Sequence, residues 1–384
     1  MGGSVQLFTS GASVVLLARV PSGPFAAEAT LIRQEEGVSG IGVAIVGAGR
    51  ISAAHAPAII AAPGARLVGV YDADEQTARA FAAQFGVSTV YPTWSSLLDS
   101  PDVRLVAILL PHHLHARYAL EALRSGRDVV VEKPLATSLA EADQMLDAAA
   151  RVGRTLFAVQ NRVYDTGIAL AKDLIAQGAI GELFLAQTRA YESDAAHRAR
   201  PWLRADEQGV LMAQSVHEAY LLRWLVGDVR AVTCHYARTA TIQIAGAHTA
   251  VVGLEFQNGA IGQMTATFAA VHGPSEHSVT LFGSAGFLEA ARRSTPGLPR
   301  QTPDRRGFSY AVSAISPSRF GDETPHSLEV PEGEAFHRMW ADFIASVATG
   351  AQPLVTGLDG RKAIEIVLAA DEAARTGRRV ALPL

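Results

Sequence analysis

Two glycines and a serine follow a short apolar run, at Gly47, Gly49 and Ser52. The run has the length of a buried strand, and an alanine-rich helical stretch begins directly after it. In such a turn Gly47 allows the tight bend, Gly49 lets a pyrophosphate approach the backbone, and Ser52 is small enough for close helix–strand packing. Arg50 and Ile51, at the helix start, are expected to contact the same cofactor. The G-x-G-x-x-S spacing alone also fits an ordinary strand-to-helix turn.

An acidic residue ends the second predicted strand, Arg66 to Tyr71. This residue, Asp72, lies about 20 residues beyond the glycine turn, where a carboxylate accepts hydrogen bonds from the adenosine ribose. A carboxylate there also repels the 2′-phosphate of NADP. With strand, turn, helix and acid in place, the sequence predicts a dinucleotide site that prefers NAD to NADP.

His217 is the second group that could do chemistry, because an imidazole exchanges protons near neutral pH. It lies in a predicted helix, Ser215 to Val226, whose apolar stripe includes Tyr220 and Trp224. His217 falls at the edge of that stripe. The helical pattern alone favours a core histidine with a satisfied hydrogen bond.

Three further histidines stand close together, at His112, His113 and His115. Their spacing fits no single helix face, and no neighbouring acid or cysteine completes a tetrahedral ligand set. The sequence therefore predicts no metal site.

Short apolar strands alternate with helices of about 10 to 14 residues from Ile41 to Val159. The strands lack polar alternation, as expected for a parallel sheet that is covered on both faces. This half of the chain is predicted to be an α/β Rossmann domain with a doubly wound parallel sheet.

Beyond Asn161 the pattern changes to helices mixed with strand-like runs, and Asn258-Gly259 is a hairpin signal between two of them. We predict an α+β domain with a large open, mostly antiparallel sheet, whose open face favours a homodimer or homotetramer. The predicted division is a loosely ordered extension over 1–40, the Rossmann domain over 41–160, a substrate and oligomerisation domain over 161–356, and a C-terminal helix and strand over 357–384 that pack near the Rossmann domain.

The composition indicates an ordinary globular chain: 49% of the 384 residues are hydrophobic and the formal net charge is −4. Neither a nucleic acid nor a membrane partner is indicated. Cys234 is the only cysteine, and it lies in a strand-like run as a buried structural thiol. We expect a cytoplasmic protein, and residues 1–40 resemble a loose extension more than a secretory signal.

A more specific motif is Glu132-Lys133-Pro134, which ends a predicted strand and follows a P-x-x-x-H loop beginning at Pro111. Together with the segment 209–225 and the C-terminal helix, it resembles the glucose–fructose oxidoreductase, inositol dehydrogenase and MocA family. The resemblance covers about Ile41 to Leu384.

The resemblance implies site residues. Lys133 would lie between the nicotinamide and the substrate, where a cation stabilises a developing alkoxide. His217 would be the general acid and base. Further cofactor contacts would come from Pro111, His112, His115 and Glu132.

The chain also departs from the family pattern. Ala213 and Tyr220 stand where relatives have acids, four residues before and three residues after the histidine. Many relatives use the first acid to contact the substrate and the histidine, so its absence leaves three alternatives open: another group in the proton relay, a substrate with a different hydroxyl pattern, or a different reaction. Gln214 is a possible replacement.

Three more residues are predicted to bind substrate. Asn161 and Arg162 match a family segment that could hydrogen-bond vicinal hydroxyls, although Arg162 could instead pair with Asp165. Trp202 could cover the apolar face of a sugar, or simply pack in the core.

These features predict an NAD-dependent oxidoreductase that acts on a secondary alcohol of a sugar, sugar derivative or cyclitol. Two alternatives stay open. One is a redox-neutral glycosidase or lyase that oxidises its substrate transiently. The other is an NAD-binding sensor without catalysis, against which the presence of both Lys133 and His217 argues.

Overall fold

The computed structural model describes residues 40–192, 209–239, 242, 244–270, 275–294, 308–315, 326–329 and 335–384, together with 8–10 and 13–15. Within the predicted extension, β1 (Phe8–Ser10) and β2 (Ser13–Val15) form a short antiparallel hairpin. Trp202 lies outside the described residues.

The first domain is a six-stranded sheet with the order β5-β4-β3-β6-β7-β8, and every pair is parallel. All four residues of β6 and residues 43–46 of β3 are fully buried, because helices cover both faces. This explains their unbroken apolar sequences and confirms the doubly wound fold. The strands are β3 (Ile41–Val46), β4 (Ala65–Tyr71), β5 (Thr89–Val90), β6 (Leu105–Ile108), β7 (Asp128–Val131) and β8 (Leu156–Ala158). The helices are α1 (Ser52–Ala61), α2 (Glu75–Phe85), α3 (Trp94–Leu98), α4 (His115–Arg124) and α5 (Leu139–Val152).

The second domain contains a nine-stranded sheet with the order β16-β15-β14-β13-β9-β12-β11-β10-β17. Only β9 and β12 run parallel, and the other neighbours are antiparallel, which confirms the mostly antiparallel sheet. The predicted Asn258-Gly259 hairpin joins β11 to β12. The strands are β9 (Leu183–Tyr191), β10 (Val229–Ala237), β11 (Thr249–Phe256), β12 (Ile261–Thr267), β13 (Glu276–Gly283), β14 (Gly286–Ser294), β15 (Phe308–Ile315), β16 (His326–Glu329) and β17 (Val380–Ala381).

Helices cover one face of this sheet. They are α6 (Thr166–Ala176), α7 (Val216–Val226), which follows a π-helical turn over Leu211–Ser215, and α9 (Gly357–Thr376). A further helix, α8 (Ala335–Thr349), precedes α9. α7 packs against β9, and α9 packs against β10. On β9 the residues facing the helices, Ala186, Thr188 and Ala190, are buried and alternate with partly exposed ones. This two-residue alternation is typical of a sheet with one covered face.

The C-terminal helices connect the two domains. α9 contacts α5 and β8, while β17 completes the edge of the large sheet. α8 lies in the predicted substrate domain but packs against α1 of the Rossmann domain.

Cys234 is buried in β10, and burial raises the pKa of its thiol to about 12. A thiol with a raised pKa stays protonated and unreactive at neutral pH. This agrees with the prediction that Cys234 is a buried structural thiol. Among the described residues no helix is both long enough and apolar enough to cross a membrane.

Candidate active site

The turn after β3 has the shape required for a bound phosphate. Gly47 has φ 96°, and a Cβ there would lie 2.5 Å from the carbonyl oxygen of Leu109, so only glycine fits. A Cβ on Gly49 would meet nothing within 4 Å. Ile51, at the N-cap of α1, supplies no side-chain cap, and the first turn of the helix has no acidic residue. The helix start is thus suited to an anionic group.

Asp72 lies against this turn, at the end of β4. One carboxylate oxygen accepts from the backbone N–H of Ala48 at 2.8 Å, and the other accepts from that of Asp74 at 2.9 Å. These bonds hold the carboxylate beside the glycine turn, while its remaining lone pairs can still accept hydrogen bonds from hydroxyl groups. Turn and acid therefore fit the pyrophosphate and ribose of a dinucleotide.

The loop after β6 places His112 and His115 differently from each other. His112 lies in a short 3₁₀ turn and is 9% exposed. His115 is fully buried, and its two ring nitrogens lie 2.7 Å from the carbonyl oxygens of Leu110 and Pro134. Burial is the largest influence and lowers the pKa of His115, although both carbonyls favour protonation. His115 therefore ties the Pro111 loop to the E-K-P segment.

Lys133 follows β7 and points to the second domain, where its Nζ donates to the carbonyl oxygen of Ala213 at 2.6 Å. Ala213 belongs to the π-helical turn before α7. Such turns interrupt the regular hydrogen-bond ladder of a helix and are frequent at functional sites. The residue that replaces the family acid thus contacts the lysine through its backbone.

Glu132 is 7% exposed and is held on both carboxylate oxygens. One lies 3.1 Å from Nε2 of His55, and the other accepts the backbone N–H of Lys133 at 2.9 Å. Burial opposes ionisation, but the hydrogen bond from His55 and the charge of Lys133 outweigh it and lower the pKa of Glu132. Glu132 therefore stays ionised beside Lys133.

His217 lies in the first turn of α7. Burial is the largest cause that lowers the pKa of His217 well below its usual value. The positive charges of Lys133 and Arg162 lower it further, and the carboxylate of Glu192 opposes them. His217 is therefore neutral at pH 7. Its buried Nδ1 has no hydrogen-bond partner in the described part of the chain, unlike a core histidine with satisfied bonds.

Arg162 pairs with Glu218 rather than with Asp165. The contact joins Nη1 of Arg162 to Oε1 of Glu218, whose side chain is fully buried. The local pairing with Asp165 is therefore wrong, because the 3₁₀ turn over Asn161–Tyr164 directs Arg162 to α7. Gln214, 4% exposed, lies in the π-helical turn next to Ala213.

A second acid–histidine pair, Glu192 and His277, was not predicted from the sequence. Nε2 of His277 lies 3.5 Å from Oε1 of Glu192. His277 pairs with Ala190 in the β13–β9 register, and Ala190 lies on the face that the helices cover. The side chains of His277 and Glu192 therefore belong to that same face. The available signal in the sequence was His277 itself, a polar residue at a position of its strand that should face the covering helices.

The comparisons with known proteins agree with this geometry. A model of an oxidoreductase family with an NAD-binding Rossmann fold, the Gfo/Idh/MocA family, matches residues 41–160, and the model of its C-terminal alpha/beta domain matches residues 172–382. Myo-inositol 2-dehydrogenase of Thermotoga maritima is 26% identical over 88% of this chain and 98% of its own. D-apiose dehydrogenase of Paraburkholderia graminis is 25% identical over 88% and 89%.

Solved structures show the same fold. The WlbA dehydrogenase from Bordetella pertussis, in complex with NADH and UDP-GlcNAcA, is 25% identical with a TM-score of 0.75 over 90% of this chain and 98% of that one. Levoglucosan dehydrogenase, in complex with NADH and levoglucosan, has a TM-score of 0.76 at 24% identity, over 90% and 100%. The chain therefore belongs to the Gfo/Idh/MocA oxidoreductase family and is a dehydrogenase whose Rossmann domain binds NAD.

Proposed function

We propose that the protein oxidises, reversibly, a secondary alcohol of a sugar, sugar derivative or cyclitol. The observation that supports this most is the hydrogen bond from Lys133 to Ala213, in the π-helical turn that directly precedes the helix with His217. A cation and a neutral imidazole from two domains then face one site. Dehydrogenation of an alcohol needs both a base and a charge that stabilises the alkoxide.

The protein's residues would divide the work. Bound NAD would accept the hydride. His217, neutral at pH 7, would take the hydroxyl proton, and the Lys133 ammonium would hold the hydroxyl oxygen and favour its ionised form. The residues that would hold NAD are Gly47, Gly49, Arg50, Ile51, Asp72, Pro111, His112, Glu132 and Lys133, while His115 would act by fixing the loop.

The substrate class is inferred from relatives that are named for inositol, apiose and levoglucosan. The proposed substrate contacts are Asn161, Arg162 and Gln214, which the structure describes, and Trp202, which lies outside the described residues. The Glu192–His277 pair adds a donor and an acceptor on the covered sheet face, as a polyhydroxylated ligand requires.

The test is NADH formation with a panel of inositols, aldoses, anhydrosugars and sugar acids, followed by absorbance, with the Lys133→Met enzyme as the control. NADH that accumulates with one substrate and not with the variant supports the proposal. Product without net NADH indicates the redox-neutral reaction. Binding of NAD and a sugar without any product indicates a sensor, and either result overturns the dehydrogenase proposal.

We also propose a cytoplasmic homodimer or homotetramer. The open sheet face presents Val251 and Ile261, which are 38% and 56% exposed on neighbouring strands, and exposed apolar residues of this kind mark association surfaces. The single cysteine fits a reducing compartment. Light scattering should give a mass above one chain, and Ile261→Lys should reduce it.

A further inference from the structure

His55 is a fully buried histidine on α1 that no part of the proposed chemistry uses. Trp340 Nε1 donates to its Nδ1 at 3.0 Å, and its Nε2 lies 3.1 Å from Oε1 of Glu132. An indole can only donate, so Nδ1 of His55 must accept and Nε2 must carry the proton. The tryptophan therefore fixes one neutral tautomer, whose N–H points at Glu132.

The same contacts continue to Lys133. Glu132 takes the N–H of His55 on one oxygen and the backbone N–H of Lys133 on the other, at 2.9 Å. The carboxylate therefore holds the main chain at the lysine, and the lysine side chain reaches Ala213 in the second domain. A change in the orientation of Glu132 would be transmitted to Lys133.

The start of this chain of contacts lies on α8. Trp340 is fully buried, and Phe336 of the same helix meets the His55 ring edge-on at 4.9 Å between centroids. α8 packs against α1, so the ring of His55 has little freedom to rotate. α8 and the E-K-P segment are joined by hydrogen bonds between buried groups, which are strong when all partners are satisfied.

We propose that His55 and Trp340 are positioning residues for Lys133, which act through Glu132. The proposal rests on the proposed function, in which Lys133 meets the reacting hydroxyl. Groups behind a catalytic residue fix its orientation, and small displacements of a catalytic group cost about a hundredfold in rate. The same relationship makes turnover dependent on α8, a helix of the predicted substrate domain that packs on the Rossmann domain.

The first test uses Trp340→Phe, which removes the N–H and keeps an aromatic ring. We expect kcat to fall by about tenfold or more, with KM for NAD within about twofold. Ser346→Ala is the control, because it removes another hydrogen bond of the same helix, the one to Ala351, and should leave kcat unchanged. A kcat for Trp340→Phe equal to that of the wild type overturns the proposal.

A second test does not depend on turnover. The chain has three lysines, Lys133, Lys172 and Lys362, so lysine-labelled protein gives three side-chain NMR signals. In Trp340→Phe the chemical shift of the Lys133 side chain should change, while those of Lys172 and Lys362 should stay the same. The ¹⁵N chemical shifts of the His55 ring nitrogens should show a changed tautomer. An unmoved Lys133 signal overturns the positioning role. A moved signal in an enzyme that oxidises no alcohol supports it and contradicts the proposed function instead.

A double-mutant cycle separates positioning from general loss of packing. If Trp340 acts through Glu132, the effects of Trp340→Phe and Glu132→Gln on kcat should not multiply, because both interrupt the same contacts. Multiplying effects in two stably folded variants would mean that Trp340 acts independently of Glu132.

Discussion

Nζ of Lys133 donates a hydrogen bond to the backbone carbonyl oxygen of Ala213, across the boundary between the two domains. Ala213 has no carboxylate, so at this position the lysine contacts a neutral carbonyl dipole. The positive charge of Lys133 lowers the pKa of His217, and a cation beside the substrate can stabilise its alkoxide.

Replacement of Lys133 by methionine should reduce turnover by at least about a hundredfold, since it removes the charge that favours the alkoxide. Affinity for NAD, measured by calorimetry, should stay within about tenfold, or 1.4 kcal/mol. Lys172→Met is the matched control, because Lys172 also donates to a backbone carbonyl, that of Trp224. Loss of NAD binding in Lys133→Met with no loss of chemistry would show that the lysine serves the cofactor alone.

Asp72→Asn should relax the preference for NAD over NADP by at least about tenfold in kcat/KM. The amide keeps an oxygen that can accept from Ala48, but it carries no charge to repel a 2′-phosphate. Asp72→Ala should weaken NAD as well, because the ribose loses its acceptor. Asp74→Asn, at the N-cap of α2, should leave the cofactor preference unchanged. An unaltered preference in Asp72→Asn would remove the charge explanation.

The sequence predicted well those features that depend on neighbouring residues. The turn at Gly47, the acid at Asp72 and the Asn258-Gly259 hairpin each follow from local spacing and backbone conformation. The helix with His217 was also predicted, although helical structure begins earlier, with the π-helical turn over Leu211–Ser215. A π-helical turn has no simple pattern in the sequence.

The missed relationships join residues that are far apart in the chain. Trp340 and its partner His55 lie 285 residues apart. The nearby Asp165 was the alternative partner considered for Arg162, whereas Glu218 on α7 is its partner. Such pairings depend on how the two domains dock, and the periodicity of a single element carries no information about docking.

The pH profile of kcat/KM should report His217. Since the pKa of His217 lies well below its usual value, the neutral base should persist at neutral pH, and the rate should fall only as the solution becomes acidic. Glu192→Gln removes a negative charge and should move this acidic limb to lower pH. His235→Gln, on the exposed side of β10, should not move it, and shifts of the opposite sign would contradict the assignment of His217 as base.

The Arg162–Glu218 pair should contribute strongly to stability. Arg162→Met leaves the fully buried Glu218 carboxylate without its cation, and breaking a buried pair in this way costs about 3–5 kcal/mol. The free energy of unfolding in urea should fall accordingly, and Arg162→Met combined with Glu218→Met should recover most of the loss because no buried charge remains. Arg151→Met, which breaks an exposed pair with Asp147, should have little effect. If Arg162→Met unfolds like the wild type but raises KM for the alcohol, Arg162 serves the substrate and its pairing with Glu218 is secondary.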